Sequence, residues 1–259
     1  MSRVINFFIA GVQKGGTTAL DQYLRAHPQI QMATKKELHY FDDDTLNWDH
    51  PDYSILESFF DWSVPNIVRG EATPNYIYWP GSLERIRRYS AAAKFIVGLR
   101  HPSYRAFSHW RMERARGAEP LSFDDAVGWP ARDRVRSAPQ GAHRVASYVE
   151  RGLYGAQIAQ LLALFPRHQV FFYRTDALWH DHARVQREVQ AFLNVDAIAG
   201  PERSYIVPVK SEQSDTLPVE TRQMLDDIFA DDIGKVELLT GLDLSDWLNP
   251  SYQELIGQN

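Results

Sequence analysis

Val4-Ile5-Asn6-Phe7-Phe8-Ile9-Ala10 runs straight into Gly11-Val12-Gln13-Lys14-Gly15-Gly16-Thr17-Thr18, and this junction decides the fold. A continuous rather than alternating apolar run predicts a strand buried on both faces, as in a parallel sheet. Thr18–Ala26 reads as the helix that follows, stopped by His27-Pro28, because a residue before proline is pushed out of the helical region. Successive backbone amides in such a turn, at the positive end of a helix, make a cradle for a phosphate-like group. Glycine lets the backbone approach the anion closely and take positive φ. Lys14 adds a full charge, and Thr17 and Thr18 add hydroxyl donors. The blander alternative is a glycine-rich βα turn with an exposed lysine. The loop is not a Walker A motif, in which lysine follows the glycines and a hydroxyl holds Mg²⁺. Nor does the spacing of Gly11, Gly15 and Gly16 fit G-x-G-x-x-G.

Outward from the loop, the same alternation repeats. Ile67–Glu71, Lys94–Leu99 and Gln169–Tyr173 read as further strands. Ser82–Tyr89, Pro102–Arg116, Ala156–Phe165, Ala183–Leu193 and Pro218–Leu239 read as helices between and after them. Apolar strands separated by helices predict an α/β fold, a central parallel sheet flanked by helices, in one domain over residues 1–259. Three stretches have little period: Lys35–Asp49, a basic Ala131–Val145 expected to be a mobile loop, and Ser204–Leu217. Loops of that length in a compact domain are often functional.

Composition narrows the function. The 259 residues contain no cysteine, which excludes disulfides, Cys-ligated metal and a thiol nucleophile. A formal charge of −5 gives no whole-molecule attraction to nucleic acid, and no partner of that kind is expected. The apolar run near Met1 is shorter than a signal peptide, and no stretch approaches a membrane span, so the expected compartment is the cytoplasm.

Two further segments carry chemistry. Arg100 ends the run Phe95-Ile96-Val97-Gly98-Leu99, at the carboxyl end of a predicted strand, where open α/β sheets bind ligands. Its planar fork suits a phosphate, although it could equally serve a structural ion pair. In Glu37-Leu38-His39-Tyr40-Phe41-Asp42, a locally extended backbone would point Glu37 and His39 the same way, and either could act as general base. The acidic run Asp42–Asp44 could also be a solvated surface loop.

Gly-x-x-Lys-Gly-Gly-Thr-Thr-x-Leu followed by His27-Pro28 resembles the 5′-phosphosulfate loop of sulfotransferases, which use 3′-phosphoadenosine-5′-phosphosulfate (PAPS). The similarity is to the heparan-sulfate-type branch and its bacterial relatives, and it spans nearly the whole chain. The resemblance implies that Lys14, Gly15, Gly16, Thr17 and Thr18 hold the phosphosulfate, with Lys14 also acting on the leaving group. In Arg-x-Pro-x-x-Arg-Ala-x-Ser, Arg100 and Ser108 inherit the 3′-phosphate, and Arg105 is structural or peripheral. Lys-Glu-x-His-x-Phe-Asp makes Glu37 the base, His39 its catalytic assistant in the acceptor site, and Asp42 a supporting acceptor-site residue. Lys210 falls in a segment that closes over the nucleotide, Tyr154 near the helix beneath it, and Leu238–Trp247 in a closing motif that packs. The family often carries a lysine where this chain has Ala72, in Gly70-Glu71-Ala72-Thr73-Pro74-Asn75-Tyr76. Tyr76 and neighbouring aromatics are expected either to offer stacking to the acceptor or to belong to the core. The implied reaction is metal-independent sulfuryl transfer to a hydroxyl, or less readily an amine, of a small molecule, glycan or natural product. Its rivals are a Mg²⁺-dependent P-loop kinase or a non-catalytic nucleotide-binding protein.

Overall fold

The structure, a computed structural model, describes residues 3–199 and 216–254. They fall into two compact units, one of residues 3–99 with 160–199, the other of 100–159 with 216–254.

The first unit holds the sheet. Its strands are β1 (Phe7–Gly11), β2 (Ile30–Met32), β3 (Val68–Ala72), β4 (Lys94–Leu99) and β5 (Val170–Arg174), in the order β2-β3-β1-β4-β5 and all parallel. Phe7 pairs with Gly70 on one side and Lys94 on the other, so the loop-bearing strand lies at the centre. The chain moves to one side of β1 for β2 and β3 and to the other for β4 and β5. The carboxyl ends of β1 and β4 thus form the switch point where such sheets take ligands.

Helices α1 (Thr17–Arg25), α2 (Ser54–Glu57), α3 (Ser82–Tyr89), α8 (Thr175–His180) and α9 (His182–Leu193) belong to this unit, and α7 (Tyr154–Leu164) ends in it. One core cluster joins Phe7 and Ile9 of β1 to Leu20 and Leu24 of α1, Ile96 of β4, and Val185 and Val189 of α9. On the opposite face Phe8 meets Phe41, Tyr76 and Phe95 at centroid distances of 5.6, 6.2 and 5.9 Å. Both faces are covered, which is why β1, β4 and β5 read as largely unbroken apolar runs.

The second unit is helical: α4 (Pro102–Ala115), α5 (Phe123–Val127), α6 (Trp129–Arg136) and α10 (Val219–Thr240), with the start of α7. Phe107, Trp110 and Phe123 pack as an aromatic trio, with Phe107 and Phe123 edge to face at 5.0 Å. Trp247 and Leu244 are buried as expected, whereas Leu238 is exposed. Among the described residues no helix is long and apolar enough to cross a membrane.

The structure corrects three expectations. Helix α6 runs into the first part of the segment expected to be a loop, over residues 131–136. Pro130 stands in its first turn, Val135 is buried, and Arg132 and Arg134 pair with Glu150 and Glu119 at 2.9 Å each. The short strand β2 and helix α8, which follows β5 without a connecting loop, were also missing from the sequence pattern. Lys210 and most of Ser204–Leu217 lie outside the described residues.

Candidate active site

The loop after β1 is built as its sequence requires. Val12 donates its amide to the Gly98 carbonyl at 3.1 Å, and Gly15 donates back to Val12 at 2.9 Å. A Cβ on Gly15 would stand 2.6 Å from the Gly98 carbonyl oxygen and 2.9 Å from that of Val12, so any side chain there would force the backbone apart. Gly16 caps α1 at φ 75, in the left-handed region. Thr17 is buried and opens the helix, and the Thr175 hydroxyl donates to the Gly15 carbonyl at 3.1 Å. These features fit an anion: a tight turn open to close approach, Lys14 within it, and the amino end of a nine-residue helix.

The segment after β2 is not extended. Glu37 and His39 have φ of 59 and 56, which reverses the backbone and removes the alternation the sequence suggested. The cause is tertiary. The amides of Glu37, Leu38 and His39 donate in turn to the Ala72 carbonyl at 2.9 Å, the Glu71 carboxylate at 3.3 Å and the Thr73 hydroxyl at 3.4 Å. Three consecutive donors are thus pinned to the end of β3. The two side chains still meet: His39 Nε2 lies 3.9 Å from Glu37 Oε2, and they are 46% and 42% exposed. Behind His39, Asp42 is fully buried. It accepts at 2.9 Å from His39 Nδ1 and also from Asn75 Nδ2. Lys36 Nζ lies 2.6 Å from Glu37 Oε1. A chain of carboxylate, imidazole and carboxylate results, with the inner acid fixing the ring and the outer one open to solvent.

Among the described residues, six that are not glycine have positive φ, and Lys14, Glu37 and His39 are three of them. Such backbone costs energy and persists where the surroundings over-determine it, typically at functional sites. Half of it falls on the residues singled out for chemistry.

Other expectations fare differently. Tyr76 is 0% exposed, locked edge-on to Phe41 at 5.6 Å, so it packs the core and presents no face to an acceptor. Trp48 stacks on Phe41 and lies under the Arg85 guanidinium. In the second unit, Arg100 is buried in an ion pair with Glu254, its carbonyl accepting from the Tyr154 hydroxyl at 2.8 Å. Burial pulls the Arg100 pKa down, but the charge and hydrogen bonds of Glu254 leave it raised overall. Ser108 is half-buried on α4, and Arg105, expected to be structural or peripheral, is buried and donates to the Tyr148 carbonyl.

Sequence reading missed Lys36, Glu71, Thr73, Asn75 and Glu254. Only Lys36 and the Glu71–Asn75 stretch carried a signal, by adjacency to named residues. Glu71 is fully buried, and burial pushes its carboxyl up from 4.5 to about 7, against hydrogen bonds from Thr73 and Leu38. The native state therefore keeps its proton where the unfolded chain has lost it. The resulting stability is complete below 4.5 and is lost as the pH rises through about 7. Urea titrations at about pH 5 and about pH 8 should show the wild type losing up to about 3 kcal/mol relative to Glu71→Gln. A wild-type-minus-variant difference that stays flat across that window would refute this titration.

A parallel sheet with a glycine-rich loop suited to an anion on its central strand, and an acid–histidine pair fastened to the neighbouring strand, fits a group transferase. Residues 5–219 match the family described as Sulfotransferase domain, and the chain belongs to that family. Mouse heparan sulfate glucosamine 3-O-sulfotransferase 3B1 is 29% identical over 203 residues, 78% of this chain and 49% of that protein. The human 3B1 protein is 27% identical over 205 residues, with the same shares. The chain spans about half the length of these curated relatives. A solved sulfotransferase from Alicyclobacillus acidocaldarius has a TM-score of 0.77 and 30% identity, covering 95% of this chain and 99% of that one. The sulfotransferase domain from the curacin biosynthetic pathway shares the fold, with a TM-score of 0.50 and 18% identity over 74% of each chain.

Proposed function

We propose that the protein transfers a sulfuryl group from PAPS to a hydroxyl of a small-molecule or glycan acceptor, with Glu37 as general base. The observation that carries this reading is the left-handed backbone at Lys14, Glu37 and His39 together. PAPS, when bound, supplies the sulfuryl group on its 5′-phosphate. Lys14 and the amides of Gly15–Thr18 would grip that end and neutralise the charge that develops on the leaving phosphate oxygen. Glu37 would take the acceptor's proton as its oxygen attacks sulfur in line with the departing phosphate. His39, its ring fixed by Asp42, would orient the acceptor and assist the proton's movement. Arg100 and Ser108 would hold the 3′-phosphate, with Lys210 closing over the nucleotide, and Tyr154 would brace Arg100 from behind.

The anion loop offers no Walker arrangement for Mg²⁺, so the residues that work are cations and amides. Transfer from a ³⁵S-labelled donor, screened across hydroxyl and amine acceptors, tests the reaction. The rate is expected to be unchanged by excess EDTA. Loss of activity on chelation, with recovery on adding Mg²⁺, would favour a phosphotransferase instead. Nucleotide binding with no transfer to any acceptor would favour a binding protein.

A further inference from the structure

The Arg100 guanidinium already has an anion on it. Glu254 sets its carboxylate across the fork, with Nε 2.8 and 3.0 Å from its two oxygens and Nη2 2.5 Å from Oε2. The side chains of Arg100 and Glu254 are 9% and 2% exposed. This fork-on-fork geometry is also how a guanidinium takes phosphate. Within the second unit, the segment that carries Glu254 is held to α4 and α10 by side chains rather than by secondary structure. Arg222 Nη1 donates to the Tyr252 carbonyl at 2.6 Å, and the Tyr104 hydroxyl to the same carbonyl at 3.3 Å. The Tyr252 ring stacks on His101 at 5.0 Å. A buried ion pair is a poor source of net stability, because the loss of hydration offsets most of the attraction. Stability alone therefore explains this pair badly.

We propose that Glu254 is a built-in competitor for the nucleotide's 3′-phosphate, and that its strap must leave Arg100 before that phosphate can bind. The proposal rests on the assignment of Arg100 to the 3′-phosphate made above. The exchange is physically economical: Arg100 has an anionic partner in both states, so its buried charge is never left unpaired. A phosphate, with more charge than a carboxylate, can win the contest, and the freed Glu254 moves to water. A nucleotide without a 3′-phosphate has nothing to gain from displacing the strap, so Glu254 affects only ligands that carry one.

Calorimetry on the full chain with 3′,5′-diphosphoadenosine and with adenosine 5′-phosphosulfate, which has no 3′-phosphate, tests this. Glu254→Gln should tighten the first by about tenfold, as expected when a largely closed site is opened, and leave the second unchanged. Equal tightening of both ligands, or unchanged or weaker binding of the diphosphate, would overturn the proposal and make Glu254 a brace. A structure of the wild-type complex gives a readout that no variant's folding can confuse. An Arg100–Glu254 pair that stays intact beside bound nucleotide overturns the proposal, and a separated pair supports it. Failure of wild type and variant alike to bind the diphosphate would instead refute the nucleotide assignment, and the proposal would fall with it.

Discussion

Glu37→Gln should lower turnover by about 10²- to 10⁴-fold, the usual contribution of a positioned general base. The amide keeps the size and the hydrogen-bonding capacity of the side chain, so the loop should hold its shape. Its backbone anchors are the Ala72 carbonyl, the Glu71 carboxylate and the Thr73 hydroxyl, none of which the substitution touches. Affinity for 3′,5′-diphosphoadenosine should therefore stay at the wild-type value, since Glu37 is assigned to the acceptor's proton and not to the nucleotide. Single-turnover kinetics with labelled donor, paired with calorimetry, separate the two effects. A parallel loss of nucleotide affinity would undo that division of roles.

Lys14→Ala should be as damaging for a different reason. A cation aimed at a developing oxyanion in a preorganised turn commonly supports about 10²- to 10³-fold of rate. Lys14 would also meet the ground-state phosphosulfate, so nucleotide affinity should fall together with turnover, in contrast to Glu37→Gln. Its left-handed φ of 70 sets the side chain's direction, and neighbouring Gly15 cannot accept a Cβ without displacing the Gly98 carbonyl. Lys14→Arg, which keeps the charge on a bulkier head, should recover part of the affinity. Wild-type affinity in Lys14→Ala would remove the loop from the nucleotide site.

Much of the architecture was legible because it rests on local pattern. Lys94–Leu99 and Ser82–Tyr89 have the boundaries the sequence predicted, since an unbroken apolar run and a glycine-led amphipathic turn are local signals. Strand β2 was not legible: three residues carry too little side-chain pattern, and its pairing with Val68–Gly70 is a matter of backbone. Helix α6 was obscured by its many arginines, whose partners Glu119 and Glu150 lie well away in sequence. At the candidate site, Glu37 and His39 were found for their chemistry and the motif, but the reason given for their proximity failed. An extended segment would have aligned them, whereas the carbonyl, carboxylate and hydroxyl at the end of β3 bend it into the left-handed region. Of the two readings open for Tyr76 the structure takes the core one, a choice the sequence could not make because it shows an aromatic ring but not what encloses it. Arg100 and Glu254 stand 154 positions apart, and no spacing rule connects them.

The three amides fastened to β3 also bear on redesign. Residues 37–39 take their posture from residues 71–73, so the two stretches behave as one inherited part, and transplanting either without the other would import a segment with nothing to grip.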